Sequence, residues 1–269
     1  MLIYYGQITY QLVMLGDKET RQMRELLRHR AYLIRIRSGL KNRVHCILDK
    51  CGIIHPYEEL FSRSGIKFLK NIKLDWSYQR QLDECIELIE ILKEKEREQN
   101  KIIERICKER EEAEFLMSLP GIGYHNALLI ISEIGDINRF PDGEHFACYC
   151  GLVPSVYISD TIHYGHITKQ GSRWLRWIYI EAGHFARRHS IRFSKLYNQV
   201  KDRSGKQKAI VAVGRELAVI SYYLLKNREK FRDYKWEGEC ERDFFDPYEV
   251  AKMIAAPPTN LYNALNKSG

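Results

Sequence analysis

Apolar residues recur at spacings of three, four and seven between Asp17 and Asp49, at Met23, Leu26, Leu27, Leu33, Ile34, Leu40, Val44, Ile47 and Leu48. That period predicts one long amphipathic helix, with Asp17 as N-cap because its side-chain oxygen can accept from the first free N–H groups. Gly52 and Pro56 close it, and a shorter segment containing Gly65 leads to a second periodic stretch from about Ser77 to Leu116. There Leu82, Ile86, Ile89, Ile103 and Ile106 form a heptad-like seam, but Lys93, Glu96 and Asn100 fall in its middle, where a continuous coiled-coil core needs apolar side chains. The two long helices are therefore expected to pair antiparallel as an arm, with a polar zone that faces solvent or a partner chain.

The helical pattern breaks at Leu119-Pro120-Gly121-Ile122-Gly123 and resumes with Ala127, Leu128, Ile130, Ile131 and Ile134, a helix-hairpin-helix pattern. Gly121 and Gly123 let the backbone turn tightly and approach a ligand, and the following helix offers free N–H groups to an anion such as a nucleic-acid phosphate. Gly135 and Asp136 end that helix. Between residues 145 and 176, Gly151, Pro154, Gly165 and Gly171 cut the chain into short extended pieces and loops. Helical periodicity returns after Gly171, with Leu175, Ile178, Tyr179, Ala182, Phe185 and Ala186 on one face. Ser204-Gly205 then precedes a last apolar helix, KAIVAVGRELAVISYYLLK, which reads as buried. The expected fold is mainly α: a long helical arm over 17–115, then a helix-hairpin-helix-containing domain over 116–232 with a small irregular or β insert. Residues 1–16 form a short N-terminal segment and 233–269 an acidic, frayed tail.

Composition sharpens this picture. The chain has 269 residues, 45% of them hydrophobic, enough for a packed core, and 43 Lys and Arg against 35 Asp and Glu, a formal charge of +8. The polar face of the first helix carries Arg21, Arg24, Arg28, Arg30, Arg35, Arg37, Lys41 and Arg43, an excess that points to a polyanion. Arg28, Arg35, Lys41 and Arg43 are its candidate nucleic-acid contacts. Seven scattered cysteines with no C-x-x-C pair suit a reducing compartment, and no metal is expected through sulfur. The first sixteen residues lack the basic start of a signal peptide, and no run reaches the roughly 18 apolar residues of a membrane span. A cytoplasmic protein that engages no membrane is expected.

The densest chemistry lies in HFACYCGLVPSVYISDTIHYGHITKQGSRWLR, residues 145–176. Tyr157, Tyr164 and Trp174 interleave with His163, His166, Lys169, Arg173 and Arg176, side chains that can stack bases and hold phosphates. Ser155, Ser159, Thr161, Thr168 and Ser172 place hydroxyls in the same electropositive setting. A serine attacking a phosphodiester needs a proton acceptor and cations to neutralise the developing charge.

The succession LRHRAYLIRIRSGLKNRVH, LPGIGYHNALLIISEIGDINRF, YCGLVPSVYISDTIHYGHITKQGSRWLRW and KAIVAVGRELAVISYYLL resembles the insertion-sequence transposases that pair a RuvC-like acidic domain with a C-terminal transposase domain and use a bridge RNA. The resemblance covers residues 17–232 and assigns 116–232 to the transposase domain. It implies DNA strand cleavage and rejoining in transposition, with Ser159 as nucleophile and Ser155 as the alternative should the correspondence slip. His163, His166, Lys169, Arg173 and Arg176 would support phosphate. The implied partners are transposon-end and target DNA, a bridge RNA and further copies of the chain. Two departures stand out. Asp160 follows Ser159 where these transposases carry glycine, and residues 1–16 contain no Asp or Glu. The chain is thus expected to be N-terminally truncated, with Mg²⁺ bound only by the missing acidic domain and no cofactor of its own. The other expectation is a catalytically inactive nucleic-acid-binding remnant.

Overall fold

The computed structural model describes residues 17–158 and 162–232, with side chains for 17–155 and 165–232, and the backbone of two short strands, β1 (Tyr4–Tyr5) and β2 (Ile8–Thr9), which pair antiparallel. The rest of residues 1–16, Ser159, Asp160 and Thr161, and the tail from 233 onward lie outside the described residues. Nine helices and one further two-stranded sheet make up the described chain, a mainly helical fold as the periodicity predicts.

Helix α1 (Lys18–Lys50) begins where Asp17 accepts a hydrogen bond from the Thr20 N–H at 2.8 Å. It pairs with α3 (Trp76–Lys108), and α2 (Arg63–Asn71) packs across their far end. The helices run antiparallel, since Arg30 meets Asn100, Arg37 meets Glu96 and Arg43 meets Gln81. A core of Val44, Leu48, Leu60, Leu69, Leu82, Cys85, Ile86 and Ile89 fills the far end, while Met23, Leu27, Ile103 and Cys107 join the main core at the near end.

Between the two cores sits the polar zone, and Glu96 at its centre is turned inward. Asn100 accepts from Arg30 Nε at 2.6 Å, and the Glu96 carboxylate takes both Arg30, at 3.8 Å, and Arg37. All three ionised side chains are largely covered, at 13 to 22% exposure. Glu96 therefore faces α1 instead of solvent, because the arginines of one helix stand opposite the glutamate of the other, while Lys93 and Asn100 of the same zone remain exposed.

Two boundaries differ from the periodic reading. The second long helix stops at Lys108, Arg110 takes an extended conformation, and α4 (Glu111–Met117) starts afresh. The run after Gly171 also splits, into α7 (Arg173–His189) and α8 (Ile191–Ser204), with Ser190 in extended geometry and its hydroxyl accepting from the Phe193 N–H. Apolar spacing continues across both breaks, so periodicity alone does not show them.

In the main core α6 (Gly143–Tyr149), α7 and α8 pack around α9 (Lys206–Asn227), the last apolar helix, and α5 (Tyr124–Ile134) lies against α1, α3 and α7. Val213, Leu217 and Ala218 of α9 are fully buried. Strands β3 (Pro154–Ile158) and β4 (Ile162–Ile167) form an antiparallel ribbon with Val156 opposite Tyr164 and Ile158 opposite Ile162, the expected β insert.

At the α1–α5 contact, His125 Nε2 lies 3.3 Å from the Leu27 carbonyl and Nδ1 3.3 Å from Asn126. Burial pushes the His125 pKa below its ordinary 6.5, the positive charge of Arg30 adds to that, and the two hydrogen bonds oppose it. The folded chain therefore keeps this imidazole neutral where the unfolded chain protonates it. Stability should be full above about pH 6.5 and erode as pH falls below it. Thermal melts at about pH 7.5 and about pH 5.5 are expected to show a smaller acid-induced drop in His125→Gln than in the unmodified chain; equal drops would remove His125 as the cause.

Candidate nucleic-acid interface

The loop that follows the ribbon is fixed by its own backbone. Thr168 N–H donates to the Val153 carbonyl at 3.1 Å and Ser172 N–H to the Tyr149 carbonyl at 2.9 Å, so residues 168–172 lie along the corner after α6. Gly171 makes this possible: a Cβ there would stand 2.0 Å from the Tyr149 carbonyl oxygen, and its φ of +94° suits only glycine. Arg176, one turn into α7, donates to the Lys169 carbonyl at 3.1 Å and occupies the space beside Gly151.

Lys169 is held in the left-handed region at φ 54°, which costs a non-glycine residue on the order of 1 kcal/mol. Lys169 is exposed two residues after the ribbon ends, and its carbonyl is tied to Arg176. Arg173 lies 5.8 Å over the Trp174 ring. The structure thus brings Lys169, Arg173 and Arg176 together, with exposed His166 on the adjoining strand. His163 is placed on β4 opposite Tyr157 by its backbone. Ser155 donates to the His166 carbonyl across the ribbon at 3.0 Å, so its hydroxyl is engaged in the sheet. Ser159, the candidate nucleophile, lies outside the described residues, between Ile158 and Ile162.

Beneath this loop sits a side chain that the sequence reading does not single out. Glu133 of α5 is 6% exposed. One carboxylate oxygen takes Arg28 through Nε at 3.1 Å and a terminal nitrogen at 2.6 Å; the other accepts the Ser172 hydroxyl at 3.2 Å. Arg24 lies 3.9 Å from the same carboxylate and donates to the Ser132 carbonyl, while Arg28 sits 5.7 Å over Trp174. Ser172 is also the N-cap of α7, accepting from the Leu175 N–H. One acidic group therefore joins α1 and α5 to the start of the helix bearing Arg173 and Arg176. A lone Glu inside an apolar run, LLIISEI, is the signal that could reveal it.

The remaining candidates fall elsewhere. Arg28 is committed to Glu133, and Arg30 and Arg37 to Glu96, so much of the expected cationic face is satisfied within the chain. Arg35 is exposed, Lys41 lies 4.9 Å over Phe61, and Arg43 bonds Gln81. Arg43 is about 22 Å along α1 from Arg28, so these cations do not share one site with Lys169.

The two turn glycines divide their tasks. A Cβ on Gly121 would come within 2.9 Å of the Ala182 backbone, and its φ is +87°, so packing against α7 demands this glycine. Gly123 is exposed, has open space around it and caps α5, whose first N–H groups receive no side-chain cap. Of the pair, Gly123 is the more exposed and Gly121 is half-buried.

Residues 113–198 match the family described as the transposase IS116/IS110/IS902 family, a span that holds the turn, Glu133, the ribbon and its basic loop. The chain is 26% identical to the transposase for insertion sequence element IS1111A of Coxiella burnetii over 231 residues, covering 80% of this chain and 61% of that protein. It is 39% identical over 62 residues to the insertion element IS110 uncharacterized 43.6 kDa protein of Streptomyces coelicolor, 23% of this chain and 15% of that one. Among the described residues no helix is long and apolar enough to cross a membrane.

Removing one partner of a buried ion pair leaves the other charge uncompensated. Glu133→Ala is expected to destabilise the chain by about 3 kcal/mol in urea unfolding. Glu84→Ala, which breaks the exposed Arg80–Glu84 pair on α3, should cost under about 0.5 kcal/mol. Similar losses at both positions would show that Glu133 does not tie these elements together.

Proposed function

We propose that this chain is the serine-bearing part of an insertion-sequence transposase, and that Ser159 opens a DNA strand by attacking a backbone phosphorus. The observation that carries the reading is the family match over 113–198, which brackets the stretch whose sequence carries Ser155, Ser159, Thr161, Thr168 and Ser172 along with His166, Lys169, Arg173 and Arg176. In the attack the Ser159 oxygen bonds to phosphorus, its proton passes to an acceptor, and the bond to one deoxyribose oxygen breaks with that oxygen taking up a proton. Rejoining is the reverse with a new strand end. Lys169, Arg173 and Arg176 would neutralise charge on the non-bridging oxygens as the phosphorus becomes five-coordinate.

Transposon-end and target DNA, a bridge RNA and further copies of the chain are the proposed partners, on the resemblance alone. The chain spans 61% of the length of the Coxiella relative. No group of three or more His, Cys, Asp or Glu side chains among the described residues is placed to hold a metal ion, so no step here is routed through one. The resemblance puts Mg²⁺ with the carboxylates of an acidic domain. The second reading, a nucleic-acid-binding remnant without activity of its own, is favoured by Asp160, whose charge beside Ser159 opposes approach to phosphate.

One experiment separates them. The chain, end DNA, RNA and Mg²⁺ should give a denaturation-resistant protein–DNA adduct that Ser159→Ala abolishes and Ser155→Ala retains. Binding without any adduct supports the remnant; an adduct that survives Ser159→Ala overturns the assignment of the nucleophile. For the turn, Gly123→Ala should leave stability within about 1 kcal/mol and weaken duplex binding, whereas Gly121→Val should lower stability first. Unchanged binding by folded Gly123→Ala would remove the turn from the interface.

A further inference from the structure

One face of α7 carries more than the charge used above. The periodic reading puts Phe185 in the core with Leu175, Ile178 and Ala182, but Phe185 is 42% exposed and Trp177 44%. Gly183, not Phe185, faces α9, where a Cβ would stand 3.4 Å from the Ile210 carbonyl. Phe185 lies beside the Gly121 turn, where a Cβ added to that glycine would stand 3.0 Å from the Phe185 Cβ.

The exposed rings are ordered. His189 stacks on Phe185 with centroids 3.8 Å apart and planes 12° from parallel. Its Nδ1 stands 2.9 Å from the Phe185 carbonyl, which can only accept, so Nδ1 carries the proton and fixes the ring. Trp177 meets Trp174 edge to face at 6.3 Å, and Arg28 and Arg173 lie 5.7 and 5.8 Å from the Trp174 ring centre. Two preformed flat surfaces thus lie about 12 Å apart along the helix. Exposed Arg173 and Arg188 flank them, neither in an ion pair among the described residues, and Glu181 is the single acid on that face. The loop of Lys169 leads into the start of this helix.

We propose that this face of α7 is a stacking platform for single-stranded nucleic acid, with unpaired bases on Trp177 and on the Phe185–His189 pair and the strand's phosphates on Arg173 and Arg188. The charge selects a polyanion, and the exposed rings select one whose bases are free to stack, which duplex DNA does not offer. A buried duplex-reading surface would need neither ring. The proposal deepens the transposase reading by giving the same domain a ligand class distinct from the duplex contacted at the turn and loop.

The test is fluorescence anisotropy of the full chain with labelled oligo(dT) and with a labelled duplex, across a salt series. Trp177→Ala and Phe185→Ala are each expected to weaken oligo(dT) binding about 5- to 150-fold, with duplex affinity little changed and the log–log salt slope unaltered, because stacking releases no counterions. Trp177→Phe should restore much of the loss. Arg173→Ala should instead flatten the single-strand slope by about 0.7. Glu181→Gln should tighten binding. Oligo(dT) binding equal to that of the unmodified chain in both ring variants overturns the platform, as does an equal loss on single strand and duplex. A ring variant that changes only self-association would make the face an interface between copies and likewise overturn it. These results stand apart from the adduct experiment: an adduct that forms normally while the rings prove irrelevant sinks this proposal alone.

Discussion

The described structure depends on how one buried negative charge is satisfied. The Glu133 carboxylate lies inside an apolar helix, away from water, where an isolated ion costs several kcal/mol, and three neighbours from two other elements meet it. Arg24 and Arg28 bring the near end of the arm against α5, and Ser172 brings the cap of α7 to the same point. The basic loop beside the ribbon then inherits its position from this junction. Arg176 holds the Lys169 carbonyl, Gly171 closes on Tyr149, and a lysine accepts a backbone conformation that glycine would take more readily. Such strain persists where surrounding contacts over-determine it.

Much of this is legible in the residues. Asp17 announces the first helix, the apolar spacing of α1 and α3 their antiparallel pairing, Pro120 and its two glycines the turn, and the Gly and Pro positions around 151–171 the ribbon. What is not legible is tertiary. The helix breaks at Arg110 and Ser190 interrupt no apolar pattern. The charge on α1 reads as a cationic surface because a one-dimensional pattern cannot show that Glu96 and Glu133, far along the chain, will stand opposite Arg30, Arg37 and Arg28. Phe185 reads as core because its helical phase is near that of Ala182, yet the adjoining positions are taken up by small residues, Ala182 and Gly183, against which neighbouring backbones close.

The site is legible in part for the same reason. Lys169, Arg173 and Arg176 are close in sequence and a helix turn keeps them close in space. Lys41 and Arg43 belong to a face that the long rise of α1 carries away from them. Gly121 and Gly123 look equivalent on paper, and only the approach of α7 distinguishes a glycine required for packing from one left open.

The inward-turned Glu96 of the arm has a mechanical corollary. Two oily clusters joined by plain heptads could slip past one another by a turn at small cost, since one leucine replaces another. With Glu96 seated between Arg30 and Arg37, a shift of α1 by one turn would strand that anion opposite aliphatic neighbours, so the rods have a single vernier setting. Any push delivered to the outer tip is therefore handed down at fixed length to the junction at Glu133.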